Sequence, residues 1–389
     1  MIPYLLPRNE VIAIVNSSRP TMNTAEIYTQ TLKHFLRPIQ PLMDDSRVTE
    51  VMIVGHNRIY FECAGKIQTS ELSFASESSL MAGIRNIAEY SNRRIDINHS
   101  FDGRLPGGER VHAIVPPASR VGPCLTIRKF QKSTFDLGKL VERGSMTPSA
   151  AEFLSLCVQL HKNIVISGGT GTGKTSLLNA LSTAIPESER IIVIEDSSEL
   201  QLNQPHTVYL EAQTAQIDGQ KAVTIRDLFV DSLRMRPDRI IVGEVRRGEA
   251  LDLIQSMISG HAGSLTTVHA NTPRDAARRL ETLCLMNDAE LPIYVARAQV
   301  ASALHLVVQI ARMPDGSRRV HSIAEACGLD EKNDYTWRDL YQFQAAGMDD
   351  QGNLKGELVP TGLRPSFASE PFQMGLGNQV HESAMLFCA

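Results

Sequence analysis

The segment KNIVISGGTGTGKTSLLNALSTAI, residues 162–185, constrains this chain more than any other stretch. It joins an apolar, strand-like run to a helix-forming run through Gly168, Gly169, Thr170, Gly171, Thr172 and Gly173. Glycines let a backbone turn this tightly and aim successive N–H groups at one point. The pattern is G-x-x-x-x-G-K-[ST], closed by Lys174 and Thr175 and followed by Ser176. With a strand before it and a helix after it, the inward amides and the positive end of the helix converge on phosphate oxygens. Lys174 then sets a charge against the β- and γ-phosphates, and the Thr175 hydroxyl is placed to hold Mg2+. The ligands expected on these grounds are ATP and Mg2+.

The rest of the second half alternates in a way that suits such a loop. RIIVIED (190–196), HTVYLE (206–211), RIIVGE (239–244) and SLTTVHA (264–270) read as strands. TIRDLFVDSLRM (224–235), GEALDLIQSMIS (248–259) and RDAARRLETLCLM (274–286) have helical spacing. Apolar strands alternating with amphipathic helices predict an α/β fold, a mainly parallel sheet covered on both faces. In such a sheet, ligands bind beyond the carboxyl ends of the strands. Glu244 stands at one such end, where a carboxylate can orient and deprotonate an attacking water. Glu195, with Asp196 and Glu199 close behind, stands at a second, and His269 at a third. Glu195 is an alternative to Glu244 for polarising water, and the sequence does not rank the two. An aspartate expected before Glu244 is absent, since position 243 is glycine.

Upstream, VTEVMIVG (48–55), RIYFECAG (58–65), KIQTSELSF (66–74), ERVHAIVPP (109–117) and CLTIRKF (124–130) read as short strands, with a helix over 77–94. The domains expected are a flexible leader (1–33), a small α+β domain (34–132), a linker (133–148), the nucleotide-binding domain (149–330) and a C-terminal extension (331–389) of short strands and a loose end. Thr147 and Ser149 are candidate N-caps where the linker enters a helix. Lys and Arg total 39 against 43 Asp and Glu, and aromatics are 5%, so neither a basic surface nor stacking platforms point to nucleic acid as a ligand. A nucleic-acid translocase on the same core is therefore the weaker reading. The six cysteines contain no C-x-x-C pair, so no zinc is expected. No apolar run approaches the ~20 residues that span a bilayer, and the N-terminus does not read as a signal peptide, so a cytoplasmic location is expected.

Four segments in order resemble the secretion traffic ATPases, which serve type II and type IV secretion, conjugation and pilus biogenesis. ISGGTGTGKTSLLNAL resembles their Walker A box and RIIVIEDSSELQL their acidic box. RMRPDRIIVGEVRRGEA is similar to their Walker B, where glycine commonly precedes the glutamate, and GHAGSLTTVHANTPRDAARRLE to their histidine box. RRIDINHSFDGRLPGGERVHAIVPP and GPCLTIRKF resemble the family's N-terminal domain, whose arginines reach nucleotide phosphates. By motif match these are Arg110 and Arg128, with Arg104 a weaker third. RLPGGERVHAIVPP, TIRKF and the GELVPTG tail are most similar to the Tad/Flp pilus assembly ATPases, then to the conjugation and type IV secretion ATPases. Gly107 and His112 depart from the usual residues, and the N-terminal region is short.

The resemblance implies a RecA-like P-loop domain preceded by a small α+β domain, with ATP held between the two. It implies a hexameric ring on the cytoplasmic side of the inner membrane, acting on a platform protein there. Glu244 would handle the water, Arg110 and Arg128 would answer charge on the transferred phosphoryl group, and His269 would report the γ-phosphate.

Overall fold

The computed structural model describes residues 24–63, 65–91, 95, 99–129, 136–213, 222–287 and 289–387. They fall into two compact units, divided between Gln131 and Lys132.

The first unit begins with helix α1 (Thr24–Phe35) and a short α2 (Gln40–Asp44). Strands β1 (Val48–Val54), β2 (Ile59–Cys63) and β3 (Lys66–Ser70) follow, then helix α3 (Glu77–Tyr90). Strands β4 (Ser100–Arg104), β5 (Arg110–Ile114) and β6 (Cys124–Arg128) complete it. The six strands form one antiparallel sheet in the order β3-β2-β1-β6-β5-β4. Its inner face buries Val51, Ile53, Val111, Ala113, Leu125 and Ile127 in one cluster with Leu80, Ile84 and Ile87 of α3. The α3 N-terminus is closed by a capping box between Ser76 and Ser79. The leader reading does not hold over its whole length: α1 is a regular helix, and Leu32 and Leu36 at its end are buried in that same cluster. The remainder of that reading, residues 1–23, lies outside the described residues.

The second unit opens with α4 (Leu137–Glu142), N-capped by Asp136, and α5 (Pro148–Gln159). Part of the segment read as a linker is therefore helical, and Leu140 anchors it in the core. Then come β7 (Ile164–Ser167), α6 (Lys174–Ser182), β8 (Ile191–Glu195), β9 (Thr207–Glu211) and α7 (Ile225–Ser232). After these follow β10 (Arg239–Val242), α8 (Glu249–Ile258), β11 (Leu265–Val268), α9 (Pro273–Cys284) and α10 (Ile293–Ala303). The unit ends with β12 (Leu306–Arg312), β13 (Arg318–Leu329), β14 (Tyr335–Met348), β15 (Leu354–Pro360) and α11 (Glu370–Gln373).

All nine strands form one sheet, β15-β14-β13-β12-β7-β11-β10-β8-β9. Strands β7 to β12 are parallel and β13 to β15 extend the sheet antiparallel. Strands β7, β8, β10 and β11 are buried at every position, which explains why the first three read as largely apolar runs rather than alternating ones. Successive residues nonetheless face opposite layers. Ile164 and Ile166 pack with α5 and α6, whereas Val165 packs with α8, α9 and α10. The extension expected beyond 330 is part of this sheet rather than a separate piece. The end expected to be loose is anchored: Phe367 and Phe387 are buried and stack on Phe153 of α5. Among the described residues, no helix is long and apolar enough to cross a membrane.

Candidate active site

The loop between β7 and α6 takes its shape from three of its glycines, each for its own reason. Gly171 and Gly173 have positive φ (71° and 99°), and Gly173 is the residue that caps α6. Gly168 is required by packing, since a Cβ there would lie 2.5 Å from the Ile310 carbonyl oxygen and 2.7 Å from Thr172 Oγ1. Thr172 is buried and donates to the Gly169 carbonyl (2.9 Å), bracing the turn from inside. Thr170 and Gly171 are exposed at the loop's crest.

Lys174 opens α6 and is largely buried. Its ammonium donates to the carbonyls of Gly168 (3.1 Å) and Gly169 (3.0 Å) and to His269 Nδ1 (3.3 Å). Burial lowers its pKa, with Arg246 acting in the same direction and Glu244 opposing. A protonated amine only donates, so Nδ1 of His269 accepts. A neutral imidazole then carries its proton on Nε2, which lies 2.7 Å from Glu244 Oε1. That approach lacks hydrogen-bond alignment, and Oε1 is a buried oxygen that accepts no hydrogen bond from a described residue. Burial lowers the His269 pKa, Lys174 reinforces the shift and Glu244 opposes it, in keeping with the neutral ring.

Glu244 sits just past the end of β10. Its Oε2 accepts from both Nε (2.7 Å) and Nη2 of Arg246. The Nη1 of the same guanidinium donates to Asp196, just past the end of β8. The Arg246 backbone N–H donates to Glu249 Oε1 (2.8 Å) at the start of α8. Lys174, His269, Glu244, Arg246 and Asp196 thus form one row across the carboxyl edges of β7, β11, β10 and β8.

Glu195 is occupied differently. It is buried, and its Oε1 accepts the backbone N–H groups of Glu199 (2.9 Å) and Leu200 (3.1 Å). It holds the acidic turn in place. Gly243 makes this possible: a Cβ there would lie 2.9 Å from Glu195 Cγ. The residue that reads in sequence as a missing aspartate is thus the space into which Glu195 fits. Thr175 lies half-buried in the first turn of α6, and its hydroxyl makes no hydrogen bond to a described residue, which suits a metal ligand; Ser176 is exposed beside it.

Some participants carried no sequence signal. Arg246 lies within the Walker B-like segment, but its contact with Asp196 spans fifty positions. Gln309 of β12 links the end of β7 to the end of β11, accepting from Ser167 Oγ and donating to the Ala270 carbonyl (3.3 Å). Both depend on strand order, which local patterns do not encode.

The first unit contains a second feature. Arg104 pairs with Arg110 across β4 and β5, Arg110 with Arg128 across β5 and β6, and Arg128 with Glu50 of β1. Residues directly opposite in an antiparallel ladder share a face. The three arginines singled out in the sequence therefore form one row, on the face opposite the buried Val111 and Ile127. His112 Nδ1 lies 2.8 Å from Oδ1 of Asp102, its partner directly opposite across β4 and β5.

A mostly parallel sheet carrying a glycine-rich phosphate loop, with a row of charged groups along the strand ends beside it, defines a RecA-like P-loop protein. The chain belongs to the type II/IV secretion system protein family, whose pattern it matches over residues 33–349. It is 35% identical over 293 residues to a putative conjugal transfer protein of Mycobacterium tuberculosis, covering 74% of this chain and 83% of that one. It is 32% identical over 327 residues to the type IV secretion system protein VirB11 of Bartonella quintana, covering 74% and 91%. Among solved structures, the pilus retraction motor PilT with bound ADP shares the fold at a TM-score of 0.53 and 17% identity, covering 75% of this chain and 81% of that one.

Proposed function

We propose that this protein is an ATPase motor of a secretion, conjugation or pilus-assembly machine, working as a homo-oligomeric ring of six on the cytoplasmic side of the inner membrane against a platform protein there. The observation that carries the reading is the row from Lys174 to Asp196 beside a formed phosphate loop. Lys174 and the loop amides bind phosphates. Thr175 holds Mg2+, which when bound offsets phosphate charge. Glu244 accepts the proton of the attacking water, and the neutral His269 between Glu244 and Lys174 communicates the state of the terminal phosphate. Arg110 and Arg128, with Arg104 beside them, answer charge developing on the phosphoryl group. Glu195 supports the acidic turn rather than polarising water, because its oxygens already accept loop amides.

For the apparatus, we propose a Tad/Flp-type pilus, on the likeness of RLPGGERVHAIVPP and TIRKF. A conjugation or type IV secretion machine is the second reading, favoured by the names of the relatives above. Deleting the gene separates the two: loss of surface pili supports the first, and loss of DNA or effector transfer with pili intact supports the second.

The decisive experiment is ATP turnover of purified protein over a concentration series, with mass measured at each point. Turnover that rises with a six-subunit species and disappears in Lys174→Ala is expected. Turnover by a monomer, stimulated by single-stranded nucleic acid, would overturn the motor in favour of a translocase.

A further inference from the structure

The row of hydrolytic groups lies entirely on one side of the phosphate loop. Strand β7 delivers the loop, and β11, β10 and β8, carrying His269, Glu244 and Asp196, lie in order to one side of it. On the other side lie β12 and then β13. A nucleoside triphosphate in this loop must turn its terminal phosphate toward the groups that cleave it. Its nucleoside end then runs out toward β12 and β13.

One of the arginines at that turn reaches the loop. Arg318 opens β13, opposite Arg312 at the end of β12, so the antiparallel turn returns it to the same edge of the sheet as the loop. Its Nε donates to the carbonyl of Gly171 at the crest of the loop (2.9 Å). Its aliphatic stem passes Gly173, where a Cβ would come within 3.4 Å of Arg318 Cδ. The side chain is exposed, and its two terminal nitrogens make no hydrogen bond to any described residue. The Nε bond fixes the guanidinium plane while leaving its outer edge and faces open. A planar, permanently charged group of this kind stacks on aromatic rings and donates to hydroxyls, which a lysine does poorly.

We propose that Arg318 is the residue of this chain that meets the nucleoside end of the bound nucleotide, its base or ribose, and so makes the site prefer a nucleotide to a bare phosphate chain. This rests on the proposed ATPase reading and adds to it a residue from outside the four boxes. It also gives the β12–β13 turn a part in ligand binding as well as in the sheet.

The test compares ADP with inorganic tripolyphosphate by titration calorimetry, both with Mg2+, on the full chain. In Arg318→Ala, affinity for ADP falls about tenfold while that for tripolyphosphate is unchanged. In turnover, KM for ATP rises and kcat stays. Arg318→Lys keeps the charge and recovers only part of the loss. Equal weakening of both ligands would show that Arg318 merely braces the loop through Gly171, and no weakening of either would show that it does not reach the ligand; each overturns the proposal. Thermal melting without ligand checks that the variant folds, and Arg318→Gln serves in its place if it does not. Failure of the unaltered protein to bind ADP at all is a different result, and strikes the ATPase reading itself.

Discussion

The two ends of strand β10 carry the same chemistry under opposite conditions. At its start, Arg239 pairs with Glu189; just past its end, Arg246 pairs with Glu244. The Arg239 side chain is 0% exposed, and that of Arg246 is 53% exposed. Arg239 also donates to the carbonyls of Val158 (2.8 Å) and Gly263 (3.2 Å), so all three of its nitrogens are used. Gly263 has φ +87°, and a Cβ there would lie 2.2 Å from Arg239 Nη1, so the backbone is shaped around this guanidinium. A largely buried pair with all three guanidinium nitrogens engaged is fixed, whereas a half-exposed one, weakened by water, is free to exchange partners. The amino end of the sheet is built as a lock and the carboxyl end as a working edge.

The lock makes the largest prediction. Arg239→Ala removes a fully buried guanidinium and leaves the Glu189 carboxylate with only His161 beside it, and should cost about 3–5 kcal/mol in denaturant unfolding of the full chain. A loss under about 1 kcal/mol would remove the distinction between the two ends. Acid should act on the same pair. Burial pushes the Glu189 carboxyl up, but hydrogen bonds from His161 and Arg239 and their charges outweigh it and hold its pKa down to about 2. A lowered carboxylate pKa gives stability that is full above the unfolded value of 4.5 and is lost as pH falls toward about 2. Unfolding free energy should therefore drop by about 3 kcal/mol through this group over that window. Glu189→Gln should flatten the acid limb by a similar amount; an unchanged slope would assign the acid loss to other groups.

At the working edge the effect should move from stability to rate. Glu244→Gln keeps the shape and removes the proton acceptor. Turnover should fall about 100-fold or more with ATP binding retained, while unfolding changes by less than about 1 kcal/mol. Full turnover in this variant would take Glu244 out of the role given to it.

The two ends also differ in how far they could be read from the chain. The phosphate loop was legible because its signals are consecutive residues: glycines, lysine and threonine between an apolar run and a helical one. The central strands are legible because burial on both faces leaves their middles mostly apolar, with polar residues chiefly at the ends. Strand β14 was not, since only Leu340 and Tyr341 within it are buried and its ends mix polar and aromatic residues. Helix α1 reads as leader because its many Thr, Gln and Lys residues mask the two leucines, Leu32 and Leu36, that dock it. Strands β4, β12 and β13 have no counterpart in the sequence reading. The arginines of the first unit were found one by one from motifs, but their alignment in one row is a matter of register. Gly243 was seen only as a departure, because the side chain it accommodates lies forty-eight positions away.

The smallest effect tests the working edge most sharply. Arg246 touches Glu244 with two nitrogens and Asp196 with the third, and is half in water. If it is a bridge that sets the Glu244 carboxylate against the neighbouring strand end, Arg246→Ala should lower turnover several-fold and shift unfolding by no more than about 1 kcal/mol. Arg246→Lys should recover little of the rate, since one ammonium cannot span both carboxylates as a guanidinium fork does. Adding Asp196→Ala to Arg246→Ala should then change turnover no further, because the bridge is already gone. Two residues that act through one contact are non-additive. Fully additive losses would mean that Arg246 and Asp196 serve the reaction separately, and the likeness between the two arginine–glutamate pairs on β10 would be one of composition only.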